Sequence, residues 1–214
     1  MFSLAILAIV LAYTWVLAPI APRWTAAVAG ALVVALAVAR ALKTGEWGLR
    51  PSAFLPALWR AAAFTAAAAL VLAGAGTQLG TWHDRRLSAA ELAVLFLWGW
   101  GQQFALQTVI LREATVRLKP DTTDKSATDK SITDKSALIS CVAASLAFAA
   151  LHLPNPFLAA VTFAGALAWC WIYSRHPNVL PLALSHALLT LVILYAFDDR
   201  ITGRLRVGAA YLSR

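Results

Sequence analysis

Charged residues make up only 13% of this 214-residue chain, and acid is the scarcer sign, with 10 Asp and Glu against 18 Lys and Arg. None of them stands in the middle of a long apolar run. A soluble domain of this size is excluded by that scarcity. An ion-coupled transporter is set aside as well, because it needs ionisable groups at depth and no inverted repeat is visible. Cysteine is limited to Cys141 and Cys170, both inside apolar runs and without ligand spacing. They point to packing and leave the redox compartment open. The N-terminal run lacks a basic leader, and LAPIAPR puts proline straight after its best small-residue cleavage point. It therefore reads as a membrane helix rather than a cleaved signal peptide.

What is abundant is apolar surface: 61% hydrophobic residues, nine Trp and a mean hydropathy of +0.72. Runs long enough to cross a bilayer fall at about 2–20, 24–42, 54–76, 87–112, 137–153, 156–174 and 179–197. The expected fold class is all-α, a polytopic transmembrane bundle of about seven helices in a bacterial-type plasma membrane. Residues 1–76 carry the first helices and 87–197 a four-helix core, with a basic tail at 198–214 and the whole forming one domain. The net charge of +8 reports topology and anionic headgroups, not nucleic acid. Seven crossings collect Arg40, Lys43, Arg50, Arg60, Arg112 and Arg117 on the side of the N-terminus, which favours a cytoplasmic N-terminus.

Between the fourth and fifth runs lies TDKSATDKSITDKSA, three copies of a five-residue unit. Its period matches neither helix nor strand, and residues 119–137 read as a flexible surface linker. The tail, DDRITGRLRVGAAYLSR, is too short and basic to span. A helix there would group Arg200, Arg204 and Arg206 on one side at the headgroup level.

Against this background a few polar residues stand out. WGWGQQFALQ places Gln102, Gln103 and Gln107 in a run that should be lipid-embedded. LAFAALHLPNP supplies Phe148 and His152, and LPLALSHALLT supplies His186 and Thr190. Gln103 with Gln107, Phe148 with His152, and His186 with Thr190 are all i, i+4 pairs, each on one helix face. A buried carboxamide without a partner costs a few kcal/mol, roughly, so the protein interior must answer the glutamines. Convergence on one polar pocket is the functional reading; interhelical hydrogen bonding is the structural one. Trp98-Gly99-Trp100-Gly101 suits close backbone approach, and Pro154 and Pro156 break the helix after His152. His83 and His176 fall in loops and read as solvated.

FAALHLPN followed by NVLPLALSHALL resembles the second and third motifs of the CPBP intramembrane proteases, a group that includes the type II CAAX prenyl endopeptidases and bacteriocin-immunity relatives. The resemblance covers residues 88–197. Phe148 and His152 match F-x-x-x-H; His186 matches the histidine of the third motif, with Thr190 at its Asn or Asp position. The first motif, E-E-x-x-x-R, aligns with QQFALQ, so Gln102 and Gln103 replace the glutamates and Gln107 the arginine.

The resemblance implies intramembrane proteolysis of a membrane-anchored or prenylated protein substrate. It makes His152, His186, Gln102 and Gln103 the catalytic positions, with Gln107, Phe148 and Thr190 supporting. In the family the first glutamate is thought to activate water, which an amide cannot do by accepting a proton. Losing two negative charges and one positive together leaves no unpaired buried ion. Glu91 and Glu113 lie about 16 Å along the axis from Gln102, and Asp198 and Asp199 about 18 Å from His186, so none substitutes. A histidine is the remaining base. No cofactor is expected; zinc on His152 and His186 would lack a third strong ligand. Two readings stay open, an active endopeptidase and an inactive relative that binds membrane peptides as an immunity factor, chaperone or scaffold.

Overall fold

The computed structural model describes residues 1–22, 24–118 and 130–213, with the side chains of 130–133 left aside. Among the described residues the chain is all-helical, with no strand beyond one isolated bridge between Leu49 and Asn178. Helices α1 (Phe2–Ala12), α2 (Trp24–Thr44) and α3 (Pro51–Gln78) come first. Then α4 (Ala89–Ala105) runs through a π-helical stretch, Leu106–Leu111, into α5 (Arg112–Arg117). α6 (Lys130–Ala150), α7 (Pro156–Arg175) and α8 (Val179–Ala196) complete the bundle. The tail holds α9 (Asp199–Thr202), a 3-10 turn and α10 (Ala209–Leu212).

All seven apolar runs are helical, and five helices are long and apolar enough to cross a membrane: α2, α3, α4 through α5, α7 and α8. The chain is an integral membrane protein. The first run, Phe2–Leu17, is shorter; it extends about 24 Å where the hydrocarbon core needs about 30 Å. The fifth run begins earlier than its apolar residues indicate, because α6 starts at Lys130 inside the repeat. The repeat's remaining linker residues, 119–129, lie outside the described residues.

α8 packs on both α3 and α4, and α6 on α7. A small residue sets one of these distances. A Cβ on Gly76 would lie 2.3 Å from the Ala196 carbonyl oxygen, so α3 meets the end of α8 backbone to backbone. Gly99 of α4 faces Ala183, His186 and Ala187 of α8, but a Cβ there would meet them at 3.5–3.7 Å, ordinary van der Waals contact, so this crossing does not demand glycine as the one at Gly76 does.

Phe148, near the end of α6, reaches the His186 ring of α8, while in the turn that follows Asn155 is buried and Leu153 is exposed. The tail closes beneath that turn. Asn155 is fully buried; its Oδ1 accepts from Leu158 N, capping α7, while its Nδ2 donates to the carbonyls of Thr202 and Arg206. Gly208 N donates to the Leu153 carbonyl at 2.8 Å. The tail is thus not one amphipathic helix at the headgroups. Arg204 and Leu205 adopt positive φ, which ends any common helical face for Arg200, Arg204 and Arg206.

On the side of the N-terminus, the loop after α2 carries Glu46, which accepts from Arg40 Nη2 and Arg112 Nε, each at 3.1 Å. The Arg112 hydrogen bond holds its carboxyl below the ordinary 4.5. A carboxyl depressed in the folded state adds stability above its unfolded pKa and loses it as pH falls through the folded value. We therefore expect the protein to lose thermal stability on acidification below about pH 4.5. The Glu46→Gln variant should show a smaller loss over the same window, measured by melting in detergent.

Candidate functional site

The site begins at Gly99, where α4 lies against Ala183, His186 and Ala187 of α8. One turn further, fully buried Gln103 places its Nε2 3.2 Å from Nδ1 of His186. Another turn on, Gln107 Nε2 donates to Gln103 Oε1 at 3.0 Å. The glutamine question is answered in part by the glutamines themselves, as a directed chain Gln107 to Gln103 to His186. Each neutral hydrogen bond contributes about 0.5–1.5 kcal/mol net, and each avoids the larger cost of an orphaned amide.

His152 is held from its own helix end. Its Nδ1 lies 2.8 Å from the Phe148 carbonyl. That oxygen can only accept, so Nδ1 carries the proton and Nε2 of the neutral ring keeps its lone pair. His186 has the opposite arrangement. As the amides are oriented, Gln103 Nε2 donates to Nδ1, which leaves the His186 proton on Nε2. Phe148 stands between the two imidazoles, edge-on to His152 at 4.9 Å and to His186 at 6.3 Å between centroids. Helices α4, α6 and α8 thus bring Gln103, Gln107, Phe148, His152 and His186 together.

Two expected members differ in role. Gln102 makes no contact of the Gln103 kind; its Oε1 is buried without a protein partner, as is Gln107 Oε1. Thr190 donates its hydroxyl to the His186 carbonyl of its own helix at 2.9 Å, so its proton is committed to the backbone.

Three residues were not singled out from sequence. Trp169 of α7 stacks on the His186 ring at 4.8 Å and 11°. Its Nε1 donates to Ser185 Oγ at 2.9 Å; Ser185 in turn donates to Thr65 Oγ1 of α3 at 2.6 Å, whose own proton goes to the Ala61 carbonyl. Thr65 could have been noticed as a polar residue amid AAAFTAAAA. Nothing in the sequence marks Trp169 among nine tryptophans.

The acidic residues are engaged elsewhere. Glu91 forms a capping box with Ser88, Glu113 pairs with Ser3, Met1 N and Arg117, Asp198 caps α9, and Asp199 pairs with Arg204. Among the described residues no three His, Cys, Asp or Glu side chains converge as a metal site. Two imidazoles and weakly ligating amides do not match a hydrolytic zinc site. His83 and His176 lie in loops away from the cluster, His83 Nδ1 beside the Thr81 carbonyl.

Comparison with known proteins bears on this arrangement. A family model described as Type II CAAX prenyl endopeptidase Rce1-like matches residues 126–192. Over that stretch the chain is similar to the Rce1-like family. It contains Phe148, His152, Trp169, His186 and Thr190, and ends short of the glutamines on α4. No curated protein and no solved structure matches the chain.

Proposed function

We propose that the chain is an intramembrane endopeptidase of the CAAX type, acting on a membrane-anchored or prenylated protein in a bacterial-type plasma membrane. The observation that carries this reading is the pair of contacts beside Phe148, His152 Nδ1 on a carbonyl and His186 Nδ1 on an amide nitrogen, which favour opposite tautomers of the two imidazoles. His152 Nε2 is a free base that takes a proton from water as its oxygen bonds to the peptide carbonyl carbon, and returns that proton to the amine as the C–N bond breaks; His186 Nε2–H is a donor for the carbonyl oxygen under attack. Gln103 and Gln107 hold His186 in that tautomer, and the buried, unpartnered Gln102 Oε1 accepts from the water or from a substrate N–H. Base and oxyanion donor are then both neutral, as burial without a carboxylate requires.

A second reading is favoured by one observation, that among the described residues no carboxylate is bonded to the cluster. It makes the chain an inactive relative that binds membrane peptides. The two separate in an assay with a prenylated C-terminal peptide in detergent. Cleavage by the parent that stops in His186→Ala supports the enzyme. An inert parent, with cleavage appearing in the Gln102→Glu, Gln107→Arg double variant, supports the binding protein and overturns the first reading.

A further inference from the structure

The cluster around Glu46 does not belong to the peptide site. Arg40 projects from the last turns of α2, Arg112 from the junction of the π-helical stretch with α5, and Glu46 from the short loop between α2 and α3. Arg40 Nη2 and Arg112 Nε donate to Glu46, and Arg112 Nη2 makes a further ion pair with it. Two guanidinium groups thus share one carboxylate, and a positive charge is left over. Arg40 is 6% exposed, and its Nη1 is buried with no hydrogen-bond partner. Leaving a charged donor unpaired at that depth is costly, more so than at the surface.

The surroundings identify what would satisfy it. Arg112 and Glu46 are each about two-fifths to one-third exposed, so the group is reached from outside the bundle. Lys43 and Arg50 flank the same loop, and half-exposed Trp47 follows Glu46 directly. Tryptophan beside basic residues at the end of a membrane helix is characteristic of headgroup level. Basic pockets between helix ends at that level take phosphate headgroups. A phosphate brings more acceptor oxygens than the planar carboxylate already present, and Arg forks hold such oxygens in charge-assisted pairs. Only the Glu46 side chain has to swing aside: it is about one-third exposed, while Gly48 two residues on is packed against Thr108, Tyr173 and Val179 and fixes the loop backbone.

We infer that Arg40 and Arg112 form a binding site for the phosphate of an anionic phospholipid headgroup, with Glu46 as the internal anion that the phosphate displaces. The assignment is independent of the proteolytic reading.

The test uses the full chain in detergent, incubated with phosphatidylglycerol, phosphatidylcholine or inorganic phosphate, and reads retained lipid by native mass spectrometry. Phosphatidylglycerol should be retained over phosphatidylcholine. Arg40→Gln and Arg112→Gln should each weaken that retention about tenfold, the loss of one charge-assisted contact. Glu46→Gln should strengthen it, because the competing carboxylate is gone. That last variant keeps the idea falsifiable if Arg40→Gln does not fold. A purely structural salt bridge predicts lower stability in Glu46→Gln and no gain in lipid. Equal retention of the two lipids, or no gain in Glu46→Gln, overturns the site. Inorganic phosphate that competes lipid off supports phosphate as the recognised group; phosphate that stabilises the protein while no lipid is retained overturns the lipid as its source.

Discussion

Replacing His152 by alanine lowers turnover of a prenylated peptide by about 10² to 10⁴, the usual contribution of a general base. The effect should fall on kcat/KM with little change in melting temperature. His152 sits in the turn after α6, its ring bonded only to the Phe148 carbonyl, and no other helix depends on it for a hydrogen bond. The pH profile carries a second signature. Only the neutral ring accepts a proton, so activity rises with pH and reaches a plateau, without the acid-side activity that a buried glutamate pair would supply. His186→Ala should also abolish cleavage but differ in stability, since it strips Gln103 of its partner and Trp169 of its stacking surface. An alanine at 152 that leaves the rate untouched would remove the base from the mechanism.

The second large effect is on stability. Gln103→Glu alone should destabilise the protein by about 3–5 kcal/mol, the cost of an uncompensated buried charge. Gln103 has no exposed surface, and its two hydrogen-bond partners are the neutral Gln107 and His186. A carboxylate there could still accept from Gln107 Nε2 but could no longer donate to His186 Nδ1. Adding Gln107→Arg should recover most of the loss by restoring an ion pair along the same i, i+4 contact. The double-mutant cycle, followed by unfolding in mixed detergent micelles, should give a large coupling between the two positions. A single Gln103→Glu variant as stable as the parent would mean that water reaches the pair.

These two experiments bracket how the neutral site is built. Gln107, Gln103 and His186 answer one another without ions, so the bundle carries a hydrogen-bonded chain through a region where a lone charge would be expelled, with Oε1 of Gln102 and of Gln107 left without protein partners. Trp169 adds to this by covering one face of His186 while Ser185 and Thr65 hold the indole in place. The tail contributes at a distance: Asn155 ties it beneath the turn that carries His152.

Much of this was legible in the residues. Apolar length marked the helices, and Gln103, Gln107, His152 and His186 announced themselves because hydrocarbon offers an amide or imidazole nothing to bond. Which of two adjacent glutamines faces His186 was not legible, since neighbours on a helix point about 100° apart and either could turn inward. The boundary of α6 was misjudged from polarity alone, because a charged segment can be helical where its side chains reach water. Salt bridges such as Arg112 with Glu46 link residues 66 positions apart, and no periodicity reports a contact of that kind.

By itself the sequence determined that the chain lives in a bilayer and that its few buried polar groups must find one another, because both follow from solvation free energies residue by residue. Only the tertiary structure decided their partners. The facing of α4 and α8, the burial of Asn155 and the return of the tail are relations between distant segments, set by packing, and packing is a property of surfaces in contact.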